Sequence, residues 1–191
     1  MGKSINVSNM HLAEIEEQDG ALIFGTPERI PGIRKANRKP NVATGQQYGD
    51  GKLEEEESAK TSYAIALDHN NIPLKWRAYM EGTVIENGVE SGKSTDKPKP
   101  FAMGWEIEKT KGVKELVWFI YCKVSPIEDT DEQREGDNLN ISNDTLVITA
   151  FEHDSIGRYY TKINSAHEDV TETMVEDFFK VVQITDEIKE S

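Results

Sequence analysis

The sequence predicts a mainly β protein: a β-sandwich or partly closed barrel with two short α-helices and a long extended arm loop. Three observations carry that prediction. Apolar and polar residues alternate cleanly over 61–67 and again over 101–107, the run 116–124 is apolar at both parities, and Gly, Pro and Asn clusters punctuate the segments between. A length of 191 residues fits one domain spanning 1–191. Only 36% of residues are hydrophobic while 30% are charged, which is lean for a compact globule and points to extended polar loops or subunit interfaces.

The first strand is expected over 7–15, with Met10, Leu12 and Glu14 on one side and Val7, Ala13 and Ile15 on the other. Asp19-Gly20 then predicts a hairpin turn into Ala21, Leu22, Ile23 and Phe24. Pro31 marks the start or edge of a third extended stretch. Residues 35–60 read differently. They hold Pro40, Gly45, Gly49 and Gly51 and the acidic run Glu54, Glu55, Glu56 and Glu57, with only Val42, Tyr48 and Leu53 as sizeable apolar groups. Such a stretch cannot bury itself, and so long a loop inside a compact domain is unusual. An arm that orders against a neighbouring subunit is expected, with Tyr48, Asp50, Leu53 and Glu54 to Glu57 as its contact residues. In 61–67, Tyr63, Ile65 and Leu67 share one strand face.

A helix is expected over 73–80, opened by Pro73, stopped by Gly82, and burying Trp76, Tyr79 and Met80. Residues 86–99 read as a polar linker whose Pro98 and Pro100 enforce an extended approach. Phe101, Met103, Trp105 and Ile107 then alternate with Ala102, Gly104, Glu106 and Glu108. A loop with Gly112 returns the chain into 116–124, where a strand covered on both sides is required. Cys122, the lone cysteine, sits there as a small core filler. Segments 144–152 and 158–163 are expected to form a last hairpin. A final helix is placed over 173–180, with Thr173 and Glu176 at capping-box spacing and Met174, Val175, Phe178 and Phe179 as its apolar stripe. Residues 186–191 are expected to fray.

The charge balance excludes one function class. With 35 acidic against 22 basic side chains and a net charge of -13, the chain lacks the basic footprint of a sequence-reading nucleic-acid binder. A surface past which DNA slides without sticking remains compatible, because like charges repel. The opening Met1 to Asn6 has no apolar signal core, and the apolar run 113–124 is too short to span a bilayer. Synthesis in the cytoplasm without a membrane anchor is the expectation.

Catalytic and cofactor motifs fail on geometry. Residues 87–94 mimic a phosphate-binding loop, but Asn87 occupies the first Gly position and Pro98 and Pro100 follow where a helix must open. Asp129, Asp131 and Gln133 begin like a calcium loop, yet Arg134 stands where the turn Gly belongs, leaving at most a weak cation site over 129–137. His11, His69, His153 and His167 lack metal-ligand spacing, and His153-Asp154 has no serine in a nucleophile elbow. No catalytic residue, cofactor or metal site is expected, and no enzyme activity.

The ordered segments resemble one family. They run from Asn9-Met10-His11-Leu12-Ala13 through Phe24-Gly25-Thr26-Pro27-Glu28-Arg29-Ile30-Pro31-Gly32 and Gln47-Tyr48-Gly49-Asp50-Gly51. Asn71-Ile72-Pro73, Lys97-Pro98-Lys99-Pro100-Phe101-Ala102, Asn143-Asp144-Thr145-Leu146-Val147-Ile148-Thr149-Ala150 and the pair Phe178-Phe179 complete the series. Together, over 7–183, they are similar to the major tail (tail tube) proteins of long-tailed bacteriophages, the phi13-type family. The chain departs from that pattern at Lys52-Leu53-Glu54-Glu55, where the family often carries aromatic or apolar residues. The resemblance implies a virion structural protein that forms hexameric rings stacked into a tube, the conduit for DNA ejection. It implies as partners other copies of the chain, the tape measure, tail terminator and baseplate proteins, and DNA in transient passage. Glu106 and Glu108 are the lumen-facing candidates. Two alternatives stand beside it: an acidic β-sandwich that binds a cell-surface glycan or protein, and a tube subunit of a contractile or secretion machine.

Overall fold

The computed structural model describes residues 2–49, 52–128, 143–186 and 188, with the backbone alone for 47–49 and 52–56. Eleven strands and two α-helices follow in chain order: β1 (Ser4–Gln18), β2 (Ala21–Phe24), β3 (Glu28–Arg29), β4 (Ile33–Gly49), β5 (Lys52–His69), α1 (Leu74–Glu81), β6 (Val84–Glu86), β7 (Val89–Ser91), β8 (Phe101–Lys109), β9 (Val113–Val124), β10 (Asp144–Phe151), β11 (Tyr160–Asn164) and α2 (Glu172–Asp177). Nine strands make one sheet in the order β2-β1-β8-β9-β10-β5-β4, with β3 on β1 and β11 on β9. The remaining pair, β6 and β7, forms a separate hairpin. The mainly β fold with two short helices is therefore as expected.

Two apolar cores lie on opposite faces of this sheet, and side-chain parity assigns residues to them. Phe101, Met103, Trp105 and Ile107 of β8 join Val117 and Phe119 of β9, Met10 and Leu12 of β1, Ile65 and Leu67 of β5, and Leu146 and Ile148 of β10 in the first. Trp76 and Met80 of α1 cover that core. Ala102 of β8 and Leu116 and Trp118 of β9 turn the other way, onto Ala13, Ile15, Ile163, Phe178 and Phe179. Both faces of β9 are thus covered, as its doubly apolar sequence requires. Cys122 is fully buried on that strand.

The sheet does not close into a barrel. The outer edge of β1 is occupied in its second half by β3 at His11 and Leu12 and by β2 at Ile15 to Gln18. In its first half an open groove of about 570 Å³ separates β1 from β4. The two ends of the sheet approach each other without a shared ladder, which corrects the expected partial closure.

Several local expectations also change. Asn9 adopts φ 54°, and the β1–β8 register shifts between Ser8 and His11. This bulge turns Val7 onto the first core, the face of Met10 and Leu12. Residues 35–49 and 52–60 are paired strands and not a loop, running from Ile33 opposite His69 to Gly49 opposite Lys52 with register shifts after Ile33, Asn41 and Gln47. Residues 86–99, expected as linker, contain the β6–β7 hairpin, whose Asn87 (φ 52°) and Gly88 (φ 80°) supply the two left-handed positions of a type I′ turn. β10 and β11 do not pair with each other. β10 pairs with β9 at Tyr121 to Val124 and with β5, while β11 pairs with β9 at Glu115 to Phe119. The twelve-residue β9 thus serves two partners along one edge. Thr171, not Thr173, caps α2, its side chain accepting from the Met174 N–H at 3.2 Å, and the helix ends at Asp177.

Side-chain hydrogen bonds fix the helices to the sheet. The Tyr79 hydroxyl accepts from the Ile15 N–H at 2.9 Å and lies 3.1 Å from the Pro100 carbonyl, tying α1 to β1 and to the start of β8. The Trp118 indole N–H donates to the Phe178 carbonyl at 3.0 Å, seating the segment after α2. At the base of the long hairpin, burial holds the His69 imidazole below its ordinary pKa, and its Nδ1 accepts from the Asn71 N–H at 3.1 Å.

Candidate functional site

The densest charge constellation surrounds Glu115 on β9. Parity places Glu115 on the same face as Val117 and Phe119, opposite Ile107 of β8, so its carboxylate stands at the rim of the first core. Only 6% of the residue is exposed. Arg38, which faces inward from β4 opposite Ile65, donates to Oε1 at 3.0 Å. Lys109, at the end of β8, bonds Oε2, and Lys162 of β11 stands 3.9 Å from Oε1. Burial alone would raise the Glu115 pKa, but the hydrogen bonds from Lys109 and Arg38, with Lys162 nearby, outweigh it and hold the carboxyl below its ordinary value. The Arg38 guanidinium also lies 5.9 Å from the Trp105 ring centroid, and Trp105 stacks on Phe119. Four strands that share no single ladder thus meet at one carboxylate.

Glu115 forms part of the wall of two hollows. One is the groove between β1 and β4, where Arg34, Lys35 and Arg38 face Ser4 to Val7. The other, about 610 Å³, opens between the β8–β9 connection and β11 and is lined by Lys109, Lys111, Lys162 and His167. In a chain of net charge -13 these hollows gather six lysine and arginine side chains around one carboxylate. Chemically they suit an anionic partner, not a cation.

A third hollow, of about 590 Å³, lies beside α2 and holds one lumen candidate. Glu106 lines it and is ion-paired with Lys114 at 3.0 Å. Its side chain is only 14% exposed. His11 stacks on Phe179 there at 4.7 Å and 6°, and burial keeps its pKa below the ordinary value. Glu108 is half-buried near the end of β8, opposite Lys114 in register. Of the arm candidates, Glu57 is exposed on β5 opposite Gly45. The backbone register sets Tyr48 against Leu53, Gln47 against Glu55 and Gln46 against Glu56, and Glu54 lies in β5. Asp50 and the 129–137 stretch fall outside the described residues. Glu57, the arm candidate whose side chain is described, lies on β5, away from Glu106 and Glu108 on β8.

Among the described residues no three His, Cys, Asp or Glu side chains are placed to hold a metal ion. Burial pushes the Cys122 thiol far above its ordinary pKa, so it stays protonated at neutral pH. The His153 ring nitrogen meets the Ser155 hydroxyl at 2.8 Å, but that contact spans two residues inside the exposed turn 153–157. No described helix is long and apolar enough to cross a membrane.

Glu115 is absent from the residues that the sequence motifs single out. The signal was present. A carboxylate two positions before Val117 and four before Phe119 lies on a buried stripe, where burial requires a cationic partner. Arg38 could not be named as that partner, because it arrives from a strand 77 positions away. The chain matches no protein-family model and no curated protein.

Proposed function

We propose that the chain is a tail tube subunit of a long-tailed bacteriophage, with copies forming hexameric rings that stack into the hollow conduit for DNA ejection. The tail-tube-like β-sandwich is part of this reading. The observation that carries it is the β4–β5 hairpin. β10 pairs with β5 only over 63–69, and beyond that point the two hairpin strands pair with nothing but each other. Residues 41–46 and 57–61 are exposed along this projection, including Val42 at 52%. Paired strand residues exposed in this way gain little burial within one subunit, and a neighbouring copy is what supplies it. The order of the family-like segments along 7–183 and the surplus of negative charge support the same reading. A lumen of like charge lets a polyanion pass without adhering.

The binding-module alternative calls for an exposed aromatic platform. Trp76, Trp105 and Trp118 are all at most 1% exposed, which removes the tryptophans from that role. A subunit of a contractile or secretion tube would share the assembly expected here.

Negative-stain microscopy of the purified chain tests the proposal. Rings or tubes are expected, and a sample that stays monomeric at high concentration across a range of salt overturns it. Deleting residues 41–58 is expected to abolish polymerisation while leaving the circular dichroism spectrum and melting cooperativity of a folded domain. Tube growth by the deleted chain would remove the hairpin from assembly.

A further inference from the structure

The groove between β1 and β4 sits on an acidic chain and is nonetheless basic. Arg38 and Lys109 are engaged by Glu115. Arg34 and Lys35 are exposed on its lip and make no ion pair among the described residues. Two free cations beside an already neutralised carboxylate leave the groove with a net positive field. The chain also carries the complementary feature: four consecutive glutamates, 54–57, in β5 near the distal end of the hairpin, flanked by Lys52 and Lys60.

These two features cannot meet within one molecule. Glu57 stands opposite Gly45, seven residues along β4 from Arg38, or about 23 Å at strand rise. The pairing of β4 with β5, which runs on through its register shifts, holds the acidic segment away from the groove at the hairpin's own base. A second copy has no such constraint. We infer that the β1–β4 groove, through Arg34 and Lys35, receives the acidic hairpin segment 54–57 of another copy of this chain. The contact is heterologous, groove to hairpin, so each copy offers one of each and the interaction propagates along a stack. This inference rests on the self-assembly proposed above and names the surface that the hairpin meets.

Charge exchange tests it. One variant carries Arg34→Glu and Lys35→Glu; Arg38 and Lys109 are kept because they hold Glu115. The other carries Glu54→Lys, Glu55→Lys, Glu56→Lys and Glu57→Lys. Arg34, Lys35 and Glu57 are exposed, and circular dichroism checks that both variants fold. Each alone is expected to need at least about tenfold more protein for tube growth than the natural chain, given the coupling seen for close interfacial charge pairs. An equimolar mixture is expected to return to within about twofold of the natural chain, since each groove then meets a hairpin of opposite charge. If the natural chain assembles but the variants assemble equally well, or the mixture gives no rescue, the groove assignment is overturned and the tube reading survives. If the natural chain forms no assembly at all, both fall together.

Discussion

Glu115 shows how one side chain can define the rim of a core. Its carboxylate collects Arg38, Lys109 and Lys162 from three other strands. The folded carboxyl titrates below its ordinary 4.5, so the ionised form is favoured by folding. The stabilisation is fully present above the unfolded value and is lost as pH falls through the folded one. Glu115→Gln keeps the shape and removes the charge. It is expected to cost about 1–3 kcal/mol at pH 7, in line with hydrogen bonds to charged groups. That gap should narrow as pH falls below about 4.5, where the unfolded chain takes up the proton first, and close only as pH passes the lower folded value. Urea titrations of both proteins at pH 7 and pH 3.5 check it, and a gap independent of pH would show that packing, not charge, is what the glutamate supplies.

At the scale of elements, one tight joint lies where β8 passes beneath the C-terminal segment. Gly104 faces the second core, and a methyl group there would stand 2.8 Å from the Trp118 ring, 2.8 Å from the Val117 carbonyl and 2.9 Å from the Phe179 ring. The backbone oxygen cannot yield as a flexible side chain would. Gly104→Ala is therefore expected to destabilise by about 1–3 kcal/mol, the usual cost of overpacking, with Phe179 displaced from His11. A thermal melt and the near-ultraviolet aromatic signal read the two effects. That glycine was visible in the sequence as a small residue in an alternating strand, but the ring that needs the space comes from 75 residues downstream. The same division runs through the fold. Alternation announced β5 and β8, and a run apolar at both parities announced β9, because burial writes its pattern into the residues. It could not say which strands neighbour one another, so β10 and β11 looked like a hairpin when each pairs with β9. β4 and β5 carry no strand signal over 42–46 and 57–60 because those residues are exposed. Without burial there is no apolar period, although backbone pairing continues there through the register shifts. Asn87-Gly88 carried a genuine turn signal that the surrounding polar residues obscured.

For the whole molecule, burial is distributed unevenly, and local stability must follow it. β8 and β9 are covered on both faces and lie between other strands, whereas the distal hairpin has a single ladder with solvent on its sides. Opening the core strands exposes both cores at once, so their amides exchange only on global unfolding. Opening the hairpin over 42–46 and 57–60, where the side chains are already exposed, uncovers little apolar surface and breaks its own ladder bonds. In the dissociated chain, amides of 42–46 and 57–60 are expected to exchange at least about a hundredfold faster than those of β8 and β9. Assembly changes this balance by linkage, because a neighbour that binds only the closed hairpin stabilises it in proportion to its occupancy. Hydrogen exchange followed by mass spectrometry on dissociated and tube-form protein therefore has a directional outcome. Protection should rise in the hairpin and around Arg34 and Lys35 together, while β8 and β9 stay nearly constant. Protection that rises at the hairpin but not along 33–38 would place the docking surface elsewhere on the neighbouring copy. Unchanged hairpin exchange in the tube would mean that its strands remain uncovered there, and a projecting ladder covered in neither state would have no physical role in holding subunits together.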